Sequence, residues 1–157
     1  MQNDINVKNP TDSITVALSP RQLDLLANVL EDMEDAMNED IDEGLEPILA
    51  ENIFGQTYRG VDFVEDLKVG VLGHIHSGEG SPFTFFRGHF AWYDEAMEER
   101  WKVLKGVVNT PSPHLDDEAT TAMRNIASRE MDEITTLAST MLTAMGVSND
   151  GWPAWGD

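Results

Sequence analysis

The chain has 157 residues, 41% of them apolar, enough for one domain with a sizeable core. Twenty-nine acids face ten bases, a formal net charge of −19, so direct binding to nucleic acid or to an anionic membrane is disfavoured and a basic protein surface is the favoured partner. There is no cysteine, which excludes disulfides and thiolate chemistry, and no apolar run long enough to cross a membrane.

The opening MQNDINVKNP has neither the basic region nor the apolar stretch of a signal peptide, so a cytoplasmic setting, in a host cell or a virus particle, is expected. Residues 1–12 read as a flexible segment ending in the turn signal 9-NPTD-12. In 13-SITVAL-18 the alternation of Ile14, Val16 and Leu18 predicts a short strand. Its mate is either a hairpin partner containing Ile5 and Val7 or another chain.

Ser19 and Pro20 form a helix start, and Leu23, Leu26, Leu30, Met33 and Met37 follow at spacings of 3, 4, 3 and 4. That stripe predicts an amphipathic helix and permits self-association into a homo-oligomer. Leu45, Ile48, Leu49 and Ile53, with Pro47 near the start and Gly55 past the end, predict a second, shorter helix. Residues 61–90 are ambiguous. Asp62 with Glu65 resembles a capping box, and Val64, Leu67, Val71 and Ile75 have roughly helical spacing, ended by Gly78. Gly70, Gly73 and the β-branched residues favour a hairpin of 67–76 with 83–90 instead. Helix is the preferred reading.

Tyr93, Met97, Trp101, Leu104 and Val108 predict a further helix ending at Thr110 and Pro111. A last helix, started by Asp116 or Asp117 and stopped by Gly146, is lined by Met123, Ile126, Ile134, Leu137, Met141 and Met145. The expected architecture is mainly α. Four to five helices form a compact bundle over 13–147, with a short N-terminal strand or hairpin, and the stripes of 23–37 and 119–145 pack together. Residues 148–157 form a tail containing Trp152 and Trp155, which either docks on the bundle or anchors a partner.

Four sets of residues invite a chemical reading. His74 and His76, with His89 beyond them, would give a small metal-dependent enzyme only if the segment were a strand; a plain helix end and loop is the simpler reading. In 78-GEGSPF-83 a Gly-X-Gly lacks the following Lys and Ser/Thr of a phosphate loop. No Gly-X-Ser-X-Gly or Glu-X-X-His motif occurs, and 38-NEDIDEG-44 lacks the order of a calcium-binding EF-hand. No cofactor is expected.

The fourth set is the acidic run. From Glu31 to Glu46 nine of sixteen residues are acidic: Glu31, Asp32, Glu34, Asp35, Glu39, Asp40, Asp42, Glu43 and Glu46. Helical throughout, these sixteen residues would span about 24 Å, a charge density comparable to duplex DNA with one charge per roughly 1.7 Å. The leading expectation is therefore a non-enzymatic acidic interaction protein. Its sharpest form is a viral or mobile-element nucleic-acid mimic that inhibits a DNA-binding or defence protein. A structural or assembly protein from a saline habitat, possibly part of a virus particle, is the alternative.

Overall fold

The burial of one apolar stripe on each helix organises the chain. The computed structural model describes residues 9–78, 80–110, 116–151 and 155. Among them are four helices and four short strands, in the order β1 (Ser13–Val16), α1 (Pro20–Asp42), β2 (Leu49–Glu51), β3 (Thr57–Arg59), α2 (Gly60–Ser77), β4 (Phe83–Phe86), α3 (Phe90–Asn109) and α4 (Asp117–Ala144), with a 3₁₀ turn at Arg87–His89 before α3. The fold is mainly α, as the periodicity implies.

Helix α1 starts at a full capping box. The Ser19 hydroxyl accepts from the Gln22 amide at 3.1 Å, the Gln22 side chain accepts from the Ser19 amide at 3.0 Å, and Pro20 occupies the first turn. Leu23, Leu26, Leu30 and Met33 are buried, with Leu26 and Leu30 fully inaccessible. The helix stops at Asp42, so the acidic run is helical over twelve residues, about 18 Å, rather than over all sixteen.

Residues 45–53 are not a helix. They lead into the antiparallel hairpin β2–β3, in which Leu49 pairs with Arg59 and Glu51 with Thr57. The cause is local. Asn52 Oδ1 accepts from the amides of Phe54 at 2.9 Å and Gln56 at 3.0 Å, and Gly55 takes a left-handed φ of 80°, which closes a tight turn. Gly55 is thus a turn residue and not a helix stop.

Helix α2 forms over the ambiguous segment, and the hairpin of 67–76 with 83–90 does not. Val61, Phe63, Val64 and Val71 are buried, and Gly78 caps the end. Beyond it, β4 pairs with β1, Ser13 opposite Phe86 and Val16 opposite Phe83. The mate of β1 is therefore seventy residues away in sequence, and neither a hairpin partner nor a second chain is needed to explain the strand; Ile5 and Val7 lie outside the described residues. Ile14 and Val16 face inward with Phe83 and Phe85, which the alternation of each strand allows.

Helix α3 packs against both α1 and α4, while α1 packs mainly against α2 and α3. The expected pairing of the two long stripes is therefore replaced by a layer in which α3 stands between them. The remaining narrow contact of α1 with α4 includes a two-point ion pair of Arg21 with Glu133, at 2.7 and 3.1 Å. Asp116 caps α4 by accepting from the Ala119 amide at 2.7 Å. Ile134, Leu137 and Met141 are fully buried, but Met123 and Ile126 are 45% and 65% exposed. The lining of α4 thus begins at Ala127, a turn later than its periodicity suggests.

Two glycines at one end of α2 differ in sign. A side chain at Gly73 would meet no atom within 4 Å, so Gly73→Ala is expected to stabilise the protein by about 0.5–1 kcal/mol. At Gly78 a Cβ would stand 2.5 Å from His74 Nδ1, and Gly78→Ala is expected to destabilise by about 1 kcal/mol. Urea unfolding of the two variants checks both signs.

Candidate interaction surface

The phase of α1 decides where its acids go. With Leu26 and Leu30 inward, Glu31, Asp32, Asp35, Glu39, Asp40 and Asp42 are exposed, as are Glu43 and Glu46 beyond the helix. Glu34 is the exception. It lies four residues after Leu30 on the buried stripe, is 9% exposed, and forms an ion pair with Lys68 of α2. Glu34 is therefore not part of the partner-facing surface that the acidic run suggests; it is an internal strut between α1 and α2. The carboxylate raises the Lys68 pKa through their hydrogen bond, against the opposing effect of burial. Asp32 is also partly engaged, 3.9 Å from Arg100 Nε, although that guanidinium is held more closely by Glu130 at 2.7 Å.

The structure adds acids from a second helix. In 94-DEAMEER-100 four of seven residues are acidic, and α3 brings Glu99 near Asp40. Burial raises the Glu99 pKa first, and the negative charges of Glu95, Glu98 and Asp40 raise it further, while Lys102 opposes them. The signal for this second cluster is plain in the sequence, but its junction with α1 depends on helix packing. Directly after the acidic part of α1 come four strongly exposed apolar residues of the hairpin region: Leu45 (57%), Ile48 (61%), Leu49 (67%) and Phe54 (64%). Beside them Met37, Ile41 and Pro47 line a crevice of about 130 Å³, with Asp40 and Glu46 at its margin.

Of the two tryptophans of the tail, Trp155 is described, and it is not a free anchor. Trp155 is buried, donates from its indole N–H to Asp94 Oδ1 at 3.1 Å, and lies 6.2 Å from the Trp101 ring. Trp155 is thus docked on α3, one of the two settings expected for the tail. Trp152 lies outside the described residues. The Asp94 pKa is pushed up to about 7, mainly by burial; the Trp155 hydrogen bond lowers it, and Glu98 and Glu95 raise it.

The histidines have separate structural settings. His74 and His76 are two apart on a helix, so their rings point to different faces. His74 Nε2 lies 3.0 Å from the Ser81 carbonyl oxygen, and the ring meets Phe83 edge-on. His89 is half-buried with its ring edge-on to Phe63 and Phe86; burial lowers its pKa, and its Nε2 has no hydrogen-bond partner. Among the described residues no group of three or more His, Cys, Asp or Glu side chains is placed to hold a metal ion. His114 lies outside the described residues. No helix among the described residues is long and apolar enough to cross a membrane.

No family model, no curated protein and no solved structure matches the chain.

Two variants test these internal contacts. Lys68→Met leaves the Glu34 carboxylate buried without a partner, and the expected loss is about 3 kcal/mol in urea unfolding at neutral pH. Asp94 has a folded pKa above its unfolded value, so its contribution is fully present below about pH 4 and is lost as the pH rises through about 7. Asp94→Asn is thus expected to match the parent at pH 4 and to exceed it at pH 8, by up to about 4 kcal/mol. Thermal melts across that range check it.

Proposed function

We propose that the protein is a non-enzymatic acidic interaction protein that binds the basic surface of another protein. The observation that carries this reading is the row of exposed acids on α1, Glu31, Asp32, Asp35, Glu39, Asp40 and Asp42, with α3 and its exposed Glu95 and Glu99 packed against the same helix. Like charges gathered in this way destabilise the isolated protein and are relieved by a Lys/Arg-rich partner. Six exposed acids lie along about 18 Å of α1, one per about 3 Å, before the α3 acids are added. A surface of this density can stand in for a phosphate backbone. The sharpest form of the proposal is a viral or mobile-element mimic that occupies the nucleic-acid groove of a DNA-binding or defence protein. The setting is then the cytoplasm of the host or the virus particle.

The exposed apolar residues Leu45, Ile48, Leu49 and Phe54 favour a second reading, a structural or assembly subunit in which this patch makes subunit contacts and the acid serves solvation in salt.

The test is capture from a lysate of the source organism on the immobilised protein, at low and high salt, with duplex DNA as competitor. The mimic reading expects a nucleic-acid-binding protein that salt and DNA both release. It also expects the combined variant Asp35→Asn, Glu39→Gln, Asp40→Asn and Glu99→Gln to weaken that capture about tenfold or more. These changes relieve repulsion, so loss of capture is not loss of fold. Unchanged capture by the variant sinks the mimic reading. Recovery of the protein itself, held at high salt, supports the assembly reading.

A further inference from the structure

A cleft of about 300 Å³ runs beside β4. Its walls include all four residues of β4, together with Phe63, Asp66 and Gly70 of α2 and Tyr93 of α3, and no residue of β1. A strand that lines a cleft with residues of both its faces does so along an edge, and the absence of β1 identifies the edge as the one β1 does not cover. Among the described residues that edge has no strand partner.

The register says which groups the edge offers. The Arg87 amide donates to the Asp12 carbonyl at 2.9 Å, which continues the ladder of Ser13 with Phe86 and Val16 with Phe83. In an antiparallel pair, alternate residues direct their N–H and C=O at the partner. Phe83 and Phe85 therefore bond to β1, and Thr84 and Phe86 turn their amides the other way, along the cleft. No other described hydrogen bond engages the Thr84 N–H, the Thr84 carbonyl or the Phe86 N–H. Such an edge is a template for one more strand. Gly70 keeps the opposite wall open: a side chain there would meet no atom within 4 Å.

We infer that this cleft binds a short peptide in extended conformation that carries an apolar or aromatic side chain next to a basic one. Backbone groups of the peptide pair with Thr84 and Phe86. Side chains of an extended peptide alternate, so one enters between Phe63 and Tyr93 and its neighbour faces outward. The basic residue follows from charge. Asp66 at the cleft and the adjacent Glu65 are exposed, and the chain carries −19 overall, so a second copy of this acidic chain is repelled where a basic segment is attracted. The inference does not rest on the acidic ridge of α1 and α3, and the variants below leave that ridge intact.

The experiment pans a random heptapeptide phage library on the whole protein, then titrates the recovered peptides as synthetic molecules. Expected are sequences pairing an apolar or aromatic residue with Lys or Arg, binding that shifts the amide resonances of Thr84 and Phe86, and loss of about tenfold or more in affinity for Gly70→Trp, which fills the cleft. Gly70→Ala should bind like the parent. Thr84→Pro removes an outward donor without touching the β1 ladder, and should weaken binding to a similar degree. Melting curves establish that each variant folds, and Gly70→Trp decides where Thr84→Pro does not. A library without a binder, or peptides that bind Gly70→Trp as they bind the parent, would overturn the inference.

Discussion

The rotational setting of α1 is the constraint on which the rest depends. Leu23, Leu26, Leu30 and Met33 must face α2 and α3, because burying such side chains is the main favourable term available to a chain this charged. Once that face is set, every acid on the helix is placed. Glu31, Asp32, Asp35, Glu39 and Asp40 turn to solvent, and Glu34 is carried inward because it falls on the buried stripe. A buried carboxylate is tolerable only with a partner, and Lys68 of α2 supplies it. The ion pair is thus a consequence of the helix phase, and it also fixes the position of α2 against α1.

The bases are largely committed to such tasks. Among the described residues, six of the nine Lys and Arg side chains make ion pairs: Arg21, Arg59, Lys68, Arg87, Arg100 and Lys102. Several of them join separate elements, as Arg21 joins α1 to α4 and Arg100 joins α3 to α4. Among the described residues few cations are left to neutralise the exposed acids of α1, or Glu95 and Glu99 on α3. Exposed pairs of this kind contribute little each, so the excess charge is held by the apolar core and not by its own counter-charges.

Local order was legible in the sequence, and long-range order was not. The α1 stripe with its capping box, the start of α4 at Asp116 and the stop at Gly78 all depend on residues within a few positions of one another. The pairing of β1 with β4 joins segments some seventy residues apart, and nothing in 13-SITVAL-18 names its partner. The ambiguity of 45–53 has a different origin. Four apolar residues over nine positions fit a helix as well as a hairpin, and the decision lay with Asn52, whose side chain closes the turn. Glu34 sits among nine acids in the sequence, but its place four residues after Leu30 puts it on the inward face. Trp155 could not be placed at all without knowing that α3 presents Asp94 and Trp101 to it.

The histidine stretch shows how a segment with chemical residues can serve geometry. His74 lies over Gly78, where a Cβ would collide with its ring, and its Nε2 reaches the Ser81 carbonyl. The Ser81 hydroxyl in turn donates to the Gly78 carbonyl at 2.7 Å. These contacts fold the chain back at the end of α2 and deliver Phe83 against the His74 ring. From there β4 pairs with β1 in the register that puts Phe83 and Phe85 into the core beside Ile14 and Val16. The same register turns the amides of Thr84 and Phe86 away from β1. The amides of Thr84 and Phe86 that line the cleft are therefore set by the pairing of β4 with β1, while His74 packs its ring against Phe83 at the start of that strand.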